Sequence, residues 1–137
     1  MPPVAQSRAS AAYSSISAHG GVAAADPHRL IQMLMDGALE RIARARGHLE
    51  HSQLPEKNRL LHAAVTIIGE LRASLDLRGG GPIAANLDDL YDYMCRQLIA
   101  ANLENRIATL DEVSHLLGMI RSAWIAMPAE ILAAPRD

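Results

Sequence analysis

At 137 residues the chain is long enough for one domain with a real core and short for two. Half of it is apolar, yet there is no Phe, one Trp and three Tyr, so the core is aliphatic and the composition leans toward helices rather than strands. Thirteen basic and fifteen acidic side chains leave a formal charge of -2, which excludes nucleic acid and anionic lipid as charge-driven partners. Cys95 is the single cysteine, so no intramolecular disulfide forms. MPPVAQSRAS has neither a basic nor a long apolar signal region, and no apolar run reaches membrane-spanning length, which predicts a cytoplasmic protein with no membrane insertion.

Residues 1–25 are rich in Ala and Ser and lack any buried periodicity, so they are expected as a flexible N-terminal arm whose anchors are Tyr13 and Ile16. A helical bundle is expected over 26–127, and a short C-terminal tail with one further helical turn over 128–137. The first helix starts at Asp26 as N-cap with Pro27 at the first position, and runs to about 51. Ile31, Met35, Ala38, Ile42, Ala45 and Leu49 form its seam, flanked by a second apolar set of Leu30, Met33, Leu34 and Gly37. The second helix spans 55–77, with a seam of Leu61, Ala64, Ile68, Leu71 and Leu75, widened by Leu60, Ala63 and Ile67. Glycines 79–81 end it.

The third helix is predicted from Pro82 or Ile83 to about 103, with Ile83, Leu87, Leu90, Met94, Leu98 and Ala101 as its seam, Tyr91 near the seam and Tyr93 on the flank. Asn105 is the predicted N-cap of a fourth helix whose seam is Leu110, Val113, Leu117, Ile120 and Trp124. Pro128 ends that helix. The fold class is therefore all-α, an antiparallel four-helix bundle.

No catalytic constellation emerges. Glu112 and His115 form one Glu-x-x-His, where a di-iron bundle site needs two such pairs and two further glutamates. Asp88, Asp89 and Asp92 read as a polar helix edge, and Arg41, Arg44 and Arg46 as a solvated face. Gly79–Gly81 lacks the GK[ST] of a phosphate loop. Cys95 has no activating base nearby in sequence, and the six histidines show no metal-binding spacing. What remains is apolar surface in excess of one seam per helix. It either packs against the arm and a short fifth element, or forms grooves that receive a partner segment.

The segments PHRLIQMLMDGA (27–38), IIGELRASLD (67–76), IAANLDDLYDYMCRQLIAAN (83–102) and LDEVSHLLGMIRSAW (110–124) resemble the flagellar secretion chaperone FliS family, over about four fifths of the chain. The resemblance implies a non-enzymatic chaperone without cofactor or metal. Its partners would be the flagellin C-terminal segment and the flagellar export gate, with a co-chaperone or anti-sigma factor left open. Under that resemblance the flagellin segment is expected in grooves lined by Leu30, Met33, Leu34, Leu60, Ile67, Leu90 and Tyr93, with Tyr13 and Ile16 of the arm as a lid over the same surface. The sequence departs from the family pattern at Met35, Pro82 and Gln97, and none of these changes removes a residue the bundle depends on.

Overall fold

The computed structural model describes residues 26–127. Four helices, and no strand, occur among them: α1 (Pro27–Glu50), α2 (Leu54–Ala73), α3 (Gly81–Glu104) and α4 (Ile107–Ala126). The all-α expectation holds. None of these helices is long and apolar enough to cross a membrane. The arm with Tyr13 and Ile16, and the tail 128–137, lie outside the described residues.

The helices form a ring in which α1 packs on α2 and α4, and α3 packs on α2 and α4. Side-chain bonds at both ends show that neighbours run antiparallel. Arg46 near the end of α1 pairs with Asp111 near the start of α4 at 2.7 Å, while Arg72 late in α2 pairs with Asp88 early in α3 at 2.6 Å. Leu34, Met35, Ala38, Ile42, Leu61, Ile68, Met94, Leu98, Leu110 and Leu117 meet in one aliphatic core. The lack of Phe is accommodated by helices close enough for Ala38, Ala45, Ala64 and Ala101 to be fully enclosed.

The start of α1 follows the sequence signal: the Asp26 carboxylate accepts from the backbone N–H groups of His28 and Arg29. Helix α2 stops four residues before the predicted 77. Ser74 Oγ turns back to the Leu71 carbonyl at 2.7 Å, and Asp76 Oδ1 accepts from the N–H groups of Arg78 and Gly79, so local side-chain bonds replace the helical ladder. Gly81 then takes φ +57 at the entry to α3. A Cβ at Gly80 would lie 2.5 Å from that of Ala84, so the turn packs directly onto α3's first coil.

That close approach corrects the predicted register at the start of α3. Ala84, Leu87 and Tyr91 face inward there, whereas Ile83 is 71% exposed and Leu90 also faces solvent. Both series satisfy three-and-four spacing, and the small Ala84 is the one that fits beneath the turn. A second correction concerns Asn105. It does not cap α4; it ends α3 in the left-handed conformation with φ 54, a region Asn tolerates better than most residues, and Arg106 precedes α4 without a side-chain cap.

Candidate functional site

The groove residues expected from the sequence divide into two groups. Leu30, Leu34 and Leu60 are buried and belong to the packed interior, so the expectation that they line an open groove is corrected. The physical reason is the ring: every helix touches two neighbours, and its apolar arc must be about two seams wide. Met33, Ile67 and Tyr93 are half-buried and Leu90 is exposed, so these four retain accessible surface.

Two open apolar depressions lie elsewhere on the described surface. The first, about 340 Å³, runs between α2 and α3 and is lined by Leu61, Val65, Leu98, Ile99 and Leu103 with His62 and Asn102 at its edges. Leu103 is 80% exposed and Ile99 stands four residues before it, on the same helical face. The second, about 400 Å³, sits at the end of the bundle where α1 and α3 begin and α2 and α4 end. Ile31, Leu71, Leu75, Leu87, Tyr91 and Trp124 form much of its wall. Neither groove was identified from sequence, although Ile99 and Leu103 are large apolar residues off the α3 seam.

Polar contacts frame these surfaces. Tyr93 donates its hydroxyl to Glu112 Oε2 at 3.0 Å, and that bond to a carboxylate holds its phenol above the usual pKa. Glu112 is thus tied to Tyr93, while His115 is exposed. No group of three His, Cys, Asp or Glu side chains gathers as a metal site among the described residues. Arg72 bridges Asp88 and Asp92, and Arg96 also binds Asp92, so two members of the acidic cluster are paired with arginines. Burial pushes the Cys95 thiol up, away from the reactive thiolate form.

Three contacts went unread in the sequence. Lys57 is only 2% exposed, and its ammonium donates to the Asn102 carbonyl at 2.9 Å and to Asn105 Oδ1 at 2.6 Å, clasping the end of α3. His28 and Trp124 stack at 5.0 Å and exchange hydrogen bonds, each ring reaching the other residue's carbonyl. Arg121 pairs with Asp36 across the same α1/α4 interface. Lys57 and His28 were legible in principle: each continues its helix's seam one turn toward the N-terminus.

The geometry describes a closed aliphatic bundle with accessible apolar grooves among the described residues. The profile of the family described as Flagellar protein FliS matches residues 9–130. The chain is 51% identical over 112 residues to the flagellar secretion chaperone FliSB of Pseudomonas aeruginosa, covering 82% of this chain and 89% of that one. It is 46% identical over 114 residues to the flagellar secretion chaperone FliS of Salmonella typhimurium, covering 82% and 84%. With its counterpart in Vibrio cholerae it shares 40% over 119 residues, covering 87% and 88%. Such similarity spans all four helices, and the chain belongs to the FliS family of flagellar proteins.

Proposed function

We propose that this chain is a flagellar secretion chaperone that binds the C-terminal segment of flagellin in apolar surface grooves, keeps it from polymerising early and brings it to the flagellar export gate. Family membership and the names of the relatives support the chaperone role. One observation carries the groove reading: the core is closed, yet Ile99 and Leu103 stand largely in solvent beside a 340 Å³ apolar depression. Met33, Ile67, Leu90 and Tyr93 extend the accessible apolar surface.

A client that folds as it binds spreads modest energy over a large area, which suits capture followed by release. Its apolar anchors, repeating at helical spacing, would lie between α2 and α3. In this reading the arm 1–25 is a lid that competes through Tyr13 and Ile16, the bundle 26–127 is the binding body, and no chemistry is catalysed.

Calorimetry with a peptide from the C-terminal end of flagellin tests the proposal. A large negative heat-capacity change is expected. Leu103→Asp and Met33→Asp should each weaken binding by about tenfold or more, since an anchor of leucine size contributes about 1.5–3 kcal/mol when buried, while circular dichroism stays that of the parent. Absence of binding by the parent chain refutes the function. Unchanged affinity in both variants refutes the grooves.

A further inference from the structure

The 400 Å³ depression at the bundle end is separate from the α2/α3 groove, and its wall includes the last of the described residues. Met127 lines it, directly after the last residue of α4. Met127 is extended, with φ -75 and ψ 132, because the residue before a proline is driven out of helical geometry. Met127 therefore departs from the α4 axis at the lip of an apolar hollow.

The sequence that follows is PAEILAAPRD, whose only large apolar side chains are the adjacent Ile131 and Leu132. Ile131 is four residues past Met127, a span of at most about 14 Å of extended chain. The hollow offers Leu71, Leu75, Leu87 and Trp124 to such side chains. Asp76 stands at its edge, spending one carboxylate oxygen on the turn at Arg78 and Gly79. Arg136 is the one base in the segment, set against Glu130 and Asp137, so the match rests on length and on the apolar pair.

We propose that residues 128–137 fold back over this hollow, with Ile131 and Leu132 against its apolar wall. A tether this short gives the segment a high effective concentration, so individually weak contacts suffice to keep the hollow covered. The arm 1–25 is a poorer fit: Tyr13 is thirteen residues from Asp26, and no residue of the first turn of α1 lines the hollow. Covering the hollow this way makes the tail a built-in competitor for any apolar segment that approaches the bundle end. The proposal does not depend on the identity of the client.

Trp124 is the sole tryptophan and part of the wall, so its emission reports occupancy directly. The full chain is compared with a chain ended at Met127 and with a full-length Ile131→Asp/Leu132→Asp variant. The expected result is a red shift of Trp124 emission and faster acrylamide quenching in both, reversed in the shortened chain by a synthetic peptide of residues 128–137. The double-aspartate variant keeps the test valid where shortening itself disturbs folding. Identical emission and quenching in all three proteins overturns the proposal. A change produced only by deleting residues 1–25, or only by a flagellin peptide, assigns the hollow to that other occupant and likewise overturns it. Flagellin-peptide affinity measured on the same samples reads the chaperone function separately.

Discussion

Replacing Lys57 with Met removes a buried ammonium while keeping most of the side chain's length. In the parent, two short bonds run from Nζ to the Asn102 carbonyl and to Asn105 Oδ1. Hydrogen bonds from a charged donor contribute about 1.5–3 kcal/mol each, so the gross loss is about 3–6 kcal/mol. Against this stands the desolvation of the ammonium, the same effect that lowers Lys57's pKa. Met escapes that cost, but it leaves a helix-end carbonyl and a side-chain amide without their donor. The net expectation is a loss of about 2–3 kcal/mol, a large share of the ~5–15 kcal/mol that holds a domain of this size. Urea unfolding followed by circular dichroism measures it, and amide exchange should accelerate at Asn105 and Arg106 ahead of the rest of the bundle. The pH dependence has a definite sign. Because the folded pKa is lowered, the unfolded chain holds the extra proton in the window below about 10.4, so the parent gains on Lys57→Met as pH rises through that window. A variant as stable as the parent, with unchanged exchange at the α3–α4 turn, would refute the clasp.

Two further outcomes test the packing. Gly80→Ala should destabilise by about 1–3 kcal/mol, because its Cβ would meet both Ala84 and the Asp76 carbonyl, whereas Gly69→Ala, with open space at its Cβ, should stabilise by about 0.5–1 kcal/mol; paired urea midpoints decide. Burial pushes the Tyr91 phenol up to about 12. The unfolded chain thus loses that proton first, and stability should fall as pH rises from 10 to 12, by up to about 3 kcal/mol. Tyr91→Phe should show a flatter decline over the same range.

The four helices were readable because Asp26–Pro27, Pro55, the glycine run and Pro128 punctuate clean three-and-four spacing. The apolar surplus was harder to interpret. Leu30, Leu34 and Leu60 looked spare when each helix was given one partner, and only the ring arrangement shows that a second neighbour absorbs them. Periodicity could not choose between Ile83–Leu87–Leu90 and Ala84–Leu87–Tyr91, since both fit; the close approach of Gly80 to Ala84 decided it. Asn105 suited a cap at either end of a helix, and its positive φ selects the C-terminal one. Lys57 was passed over as a polar residue, although its position on the α2 seam marks it as enclosed. The accessible groove at Ile99 and Leu103 is not legible in the sequence, because both lie off the α3 seam and periodicity alone does not tell a groove wall from an exposed flank.

Three of the four helix interfaces join neighbours in sequence, linked by short turns, and each forms with little loop to close. The α1/α4 interface is different. Its stacked pair, His28 and Trp124, is 96 residues apart, so this contact waits until the ring itself closes. The last seam to form is also the natural place for the bundle to part without unravelling its hairpins, and opening there would separate Ile31 from Trp124, two walls of the hollow at the bundle end. The ring thus carries a built-in order of assembly, in which the first turn of α1 and the last turn of α4 serve as its clasp.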